Sequence, residues 1–402
     1  MTSHDLQPPD RRRGGLRARW ARMTPAARLL TVGSVALLSV STLGVLAYLM
    51  LSLRPPLREI APDTLATRVT SPRGSLSDTT GSARVTVFFG TDRKPEPGND
   101  SREHFGSQRG QLSVGAADVT IPQGHRPGHM ERPAWYRLRF HEDPRRDIVI
   151  AAVATLDSIT WSSDLHFAFQ NSERNDALLY VHGYNVTFDD AARRTAQLAY
   201  DLTFDGPATF YSWPSQGTVT GYPADEAAID RTVPNLVQFL RLLIHTTTTG
   251  HVHIVAHSLG SRAVSSALLQ LTDSEFKRIG QIVFTAPDID AEVFSSQIVP
   301  ALRNHASRLT LYSSSSDRAL EASMKFHSYP RAGMAGTQLI LLPGLETVDA
   351  SRVDTDLIGH GYYASNKEVI DDLFMLIRYG LPASSRNLVH AIRNGLTYWR
   401  LP

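Results

Sequence analysis

From position 177 onward, short apolar runs alternate with stretches of helical period over more than 200 residues. No other feature of the chain narrows its fold so far. The runs at 177–181, 208–213, 252–256, 281–285, 309–313 and 338–342 mostly lack polar–apolar alternation, as expected of parallel strands covered on both faces. Between them Phe188, Ala191, Ala192, Thr195, Leu198, Ala199 and Leu202 recur at three- and four-residue spacing, which predicts one amphipathic helix. Further helices are predicted over 226–245, 258–271 and 368–379, and β-rich stretches at 84–89, 111–121, 135–140 and 147–156 come first. The pattern predicts an α/β fold, with a mostly parallel sheet and helices on both faces. Ligands of such sheets bind beyond the carboxyl ends of the strands, so the chemistry is expected there.

One strand, HVHIVA at 251–256, runs directly into AHSLG at 256–260, and a helix pattern through Val264, Ala267, Leu268 and Leu271 follows. A serine at a sharp strand-to-helix turn is the arrangement that lifts a hydroxyl above the sheet as a nucleophile. Small residues flank it, although Ala256 stands where a glycine is usual. Ser258 is therefore the candidate nucleophile. Such a serine needs a base, an orienting carboxylate and donors for the developing oxyanion. The Leu259 N–H at the helix start supplies one donor. A second is expected from the turn after 179–181, at His182-Gly183, which points to the Tyr184 N–H.

In this topology the acid and then the base follow the serine in chain order. Asp317 leaves the strand at 309–313, and His360 lies in a Gly-His-Gly loop after the last predicted strand. Ser258, Asp317 and His360 form the expected triad. Asp288 is the alternative acid, with capping of the helix beginning at 291 as its structural role. Other candidates have plainer readings. His251 and His253 share a strand face but lack a third ligand at matching spacing, so no metal or cofactor is expected. His257 reads as a packing residue and His327 precedes the last predicted strand. Asp225-Glu226 reads as a helix N-cap.

The N-terminus has a different character. Seven arginines fall within residues 1–28, and residues 29–53 then carry no charge. A 25-residue helix spans about 37 Å, enough for a hydrocarbon core of about 30 Å. The arginines precede the apolar run, which predicts a cytoplasmic N-terminus and a body outside the inner membrane. A cleaved signal peptide is the rival, but its apolar core is usually shorter. A Pro/Ser/Thr-rich linker over 54–83 then leads to a domain expected over 84–381 and a C-terminal tail over 382–402. The net charge of +2 conceals this basic segment, and the remainder is mildly acidic. That argues against a nucleic-acid partner. The absence of cysteine excludes disulfides, thiolate metal sites and a cysteine nucleophile.

Several motifs together resemble a bacterial family of α/β-hydrolases of unknown function, domain of unknown function 900, within the esterase/lipase superfamily. They are VFFGTDR at 87–93, the stretch 115–133 ending in HMERP, VHGYN at 181–185, RTAQLAYDL at 194–202, YSWPS at 211–215, AHSLG at 256–260 and APD at 286–288. The resemblance covers roughly 84–381 and implies a hydrolase fold with Ser258 as nucleophile. Leu259 stands where methionine is expected, a small departure because the backbone N–H is what acts. The function expected is a membrane-anchored serine hydrolase of carboxylic esters, with a small-molecule or lipid ester as substrate. The alternatives are a peptidase, a thioesterase, or a non-catalytic envelope protein using a hydrolase fold for binding.

Overall fold

The computed structural model describes residues 81–96, 104–133, 141–247, 250–353 and 366–402, together with Thr24. The apolar run at 29–53, the strand expected at 135–140 and His360 lie outside these residues. Among the described residues no helix is long and apolar enough to cross a membrane.

Among the described residues eleven strands form one sheet: β1 (Ala83–Pro95), β2 (Phe105–Ile121), β3 (Val149–Leu156), β4 (Ala177–Val181), β5 (Ala208–Ser212), β6 (Val252–His257), β7 (Ile279–Thr285), β8 (Arg308–Ser313), β9 (Glu346–Asp349), β10 (Val389–Arg393) and β11 (Leu396–Arg400). Their order is β10-β11-β9-β8-β7-β6-β4-β5-β1-β2-β3. The run from β11 through β1 is parallel throughout, while β2, β3 and β10 pair antiparallel at the two edges.

The helices that matter for the site are α1 (Ser158–Gln170), α2 (Phe188–Asp201), α3 (Tyr222–Thr246), α4 (Leu259–Leu268), α5 (Arg318–His327) and α6 (Lys367–Tyr379). Strand residues alternate between two cores. Leu179, Val181, Ile254, Ala256, Ile282 and Phe284 pack with Trp161 of α1 and Phe239 and Leu240 of α3. Leu178, Tyr180, Val255 and Val283 pack instead with Phe188 and Leu198 of α2 and Leu373 and Leu376 of α6. Every residue of β4 is buried. Burial on both faces is why these strands read as unbroken apolar runs.

Three expectations need correction. Residues 338–342 are not a strand: a short 3₁₀ turn, Gly336–Gln338, is followed by irregular chain, and the pairing strand is β9. Leu339 and Ile340 are buried as loop, with Thr347 Oγ1 donating to the Ile340 carbonyl at 2.8 Å. An apolar run of four or five residues marks burial, not pairing. Second, residues 389–400 are not a tail but a hairpin whose β11 adds to β9. Its signal is Asn394-Gly395, both at positive φ, the two-residue turn that matches strand twist. Third, Asp225 and Glu226 do not cap α3, whose N-cap is Gly221 without a side-chain bond.

Candidate active site

The carboxyl ends of β6 and β7 and the turn after β4 meet at Ser258. The serine sits between β6 and α4 at φ 52° and ψ −126°, a conformation L-residues rarely hold. Such a residue stores about 1–3 kcal/mol, and its neighbours must hold it there. Its N–H donates to the Thr285 carbonyl at the end of β7, and its own carbonyl accepts from Ser261 and Asp288. Gly260 is required sterically, because a Cβ there would lie 2.3 Å from the His182 carbonyl oxygen. Ala256 occupies the other small position without an equivalent conflict: it is a buried strand residue whose carbonyl accepts from Ser261 Oγ and Thr285 Oγ1. Ser258 Oγ is buried and has no hydrogen-bond partner among the described residues.

Opposite the serine runs the turn after β4. A Cβ on Gly183 would lie 2.6 Å from Ser258 Cβ and 2.8 Å from His257 Nδ1, so this turn and the elbow touch. Tyr184 follows and Asn185 takes a positive φ of 58°. Leu259 opens α4, so its N–H has no acceptor within the helix. The Tyr184 phenol is pushed up by burial and by the charges of Asp225, Asp288 and Asp317. His182 stacks on Trp213 at 5.0 Å. Burial and the Arg93 charge push its pKa down to about 3, so the ring stays neutral.

The two candidate acids differ in a way the sequence did not indicate. Asp288 does not cap the helix that follows; Asp290 does, accepting from Glu292 N and Val293 N. Asp288 instead accepts from Arg331 Nε at 2.7 Å and Ser323 Oγ at 2.7 Å on one oxygen, and from Tyr222 Oη at 2.7 Å on the other. Asp317 is the capping residue: it is the N-cap of α5, accepting from Leu320 N at 3.0 Å, and it is buried at the exit of β8.

The other histidines lie as follows. His251 just precedes β6 and His253 is its second residue, at the end away from Ser258. There His253 Nδ1 accepts from Gln281 N, and both rings approach Asp176. His257 is buried against Gly183. His327 binds Glu226 through Nε2 at 3.0 Å and Ser323 through Nδ1. Among the described residues no group of three or more metal-ligating side chains occurs. Sequence reasoning missed the Arg331–Asp288 pair and the roles of Arg93, Ser215 and Asp225 beside the Gly183 turn. Arg93 and Ser215 stood in recognised motifs, but nothing in those motifs names their partners.

A mostly parallel sheet flanked by helices, with a strained serine at the β6–α4 turn, defines an α/β-hydrolase. Residues 160–378, more than half of the chain, match the family described as alpha/beta hydrolase of unknown function (DUF900), and the protein belongs to that family. No curated protein matches the chain.

Proposed function

We propose that the protein is a membrane-anchored serine hydrolase of carboxylic esters. Ser258 Oγ attacks the ester carbonyl carbon while His360 takes its proton. Asp317 holds the imidazole in the required tautomer and stabilises the imidazolium. The Leu259 and Tyr184 N–H groups receive the developing oxyanion, each donor being worth about 10²–10³ in rate. His360 then protonates the leaving alcohol, and a water activated by the same ring releases the acid from the acyl-enzyme. This chemistry calls for no cofactor and no metal.

The observation that carries the reading is the serine's backbone. A positive φ, a buried hydroxyl without a partner among the described residues, and two glycines whose absent Cβ atoms permit the turn amount to strain and desolvation that a binding module does not need. Asp317 is preferred over Asp288 because the latter's two oxygens already accept three side-chain donors.

The full-length chain in detergent should hydrolyse a panel of p-nitrophenyl esters and be labelled by a fluorophosphonate. Ser258→Ala should lose both properties while melting normally. Ester turnover by that variant equal to wild type would refute the catalytic reading in favour of a scaffold role. The anchor rests on the uncharged run at 29–53 behind its arginines. The chain should therefore pellet with inner membranes, resist carbonate extraction and be digested only from the outer face. Recovery of a soluble product beginning near residue 48 would refute the anchor and support a cleaved signal peptide.

A further inference from the structure

Three motifs far apart in the chain meet behind the turn that faces Ser258. Arg93 ends VFFGTDR, Ser212, Trp213 and Ser215 belong to YSWPS, and Asp225 lies in the first turn of α3. Each is buried, Arg93 to 1% exposure. All of them but Ser212 bond the backbone of residues 182–186. Trp213 Nε1 donates to the His182 carbonyl at 2.7 Å. His182 Nδ1 donates to the Gly183 carbonyl at 2.7 Å. The Asn185 N–H donates to Asp225 Oδ2 at 3.2 Å and the Val186 N–H to Ser215 Oγ at 3.3 Å. Arg93 Nη2 donates to the Val186 carbonyl at 2.7 Å.

The brace is tied together in turn. Arg93 Nη1 reaches the Ser215 and Gly106 carbonyls, and its Nε donates to Ser212 Oγ, which faces His182 Nε2. Ser215 Oγ donates to Asp225 Oδ2, and the Gln216 N–H donates to Asp225 Oδ1. A guanidinium buried this deeply is costly unless its donors are met, and here they are met largely by loop carbonyls. The groups flanking Tyr184 on both sides are thereby held, in a turn close enough to Ser258 that one extra methyl would collide with it.

We propose that Arg93 and Asp225, bridged by Ser215, are positioning residues that set the 182–186 turn at the distance from Ser258 that oxyanion stabilisation requires. The inference rests on the hydrolase reading above. Neither residue touches substrate; each acts through the turn. A displacement of about 1 Å in a catalytic group can cost about 10² in rate.

Asp225→Asn is the sharpest perturbation, because it keeps the shape but turns one of two acceptors into a donor facing an N–H. Ser215→Ala removes the bridge, and Arg93→Lys keeps the charge but not the fork. In the full-length chain these variants should lower kcat by about 10–100-fold with KM changed less than about threefold. The inhibition constant of an alkyl trifluoromethyl ketone, whose serine adduct carries the oxyanion, should rise by the same factor as kcat/KM falls. Fluorophosphonate should still label Ser258. The proposal is overturned if kcat stays within about twofold, or if the ketone binds as tightly as to wild type. If Arg93→Lys does not fold, the other two variants decide by the same readouts. Activity surviving in Ser258→Ala would instead refute the hydrolase reading itself, so the two failures are distinct.

Discussion

Asp288→Asn takes the charge from a carboxylate that is 2% exposed and is paired with an Arg331 side chain 6% exposed. Of its three side-chain donors, the arginine Nε at 2.7 Å is the one whose partner cannot be neutral without cost. Removing one member of a buried pair costs about 3–5 kcal/mol, because the other charge remains desolvated. Asparagine keeps one acceptor oxygen, which places the expected loss at the lower end, about 3 kcal/mol. In a domain of this size that lowers the melting temperature by about 6 °C. Asp317→Asn should behave in the opposite way. Its oxygen caps α5 through Leu320 N, and asparagine caps a helix as well as aspartate, so stability should move by less than about 0.5 kcal/mol. Turnover should fall by about 10⁴, because an amide does not hold an imidazolium or its correct tautomer. The assay is ester hydrolysis per folded molecule, counted by circular dichroism, beside thermal melting of the same samples. Full stability with lost turnover in Asp288→Asn, together with an active Asp317→Asn, would refute the assignment of the acid.

Two further predictions concern stability. His125 is buried between Glu131 and Asp201 at 2.8 Å each; burial alone would lower its pKa, but the two carboxylates outweigh it and raise it from 6.5 to about 9. Its contribution is therefore complete below the unfolded value of 6.5 and is lost as pH climbs through about 9. The melting advantage of wild type over His125→Gln should be full near pH 6 and gone by about pH 10; a difference constant across that range would contradict it. Ending the chain at residue 381 would remove Arg386, whose fully buried side chain pairs with Asp372 and Glu346, and would unpair β9 from β11. Such a truncation should lose soluble yield and melt at least about 6 °C lower, measured by light scattering and calorimetry.

The sequence alone determined the parts of this protein that depend on local pattern. Strand β4 was legible to the residue, because a strand buried on both faces has no polar positions to blur its ends. The elbow was legible because small residues around Ser258 answer a steric demand made within one turn of chain. The C-terminal hairpin was written as plainly in Asn394-Gly395, but its strands are half-exposed and alternate only weakly. What the tertiary structure alone decided is which partner each polar group meets. Asp288 and Asp317 look alike in sequence, each a carboxylate just past a strand. One is paired with Arg331 and Tyr222, 43 and 66 residues away, and the other caps its own helix. Arg93 likewise finds Val186 93 positions on and Ser215 122 positions on. Where strand and helix follow the local pattern, a few neighbouring side chains record them, and where burial alone makes a run apolar, as at 338–342, they do not. A buried charge takes whatever partner the packing of distant segments brings to it, and no local pattern records that.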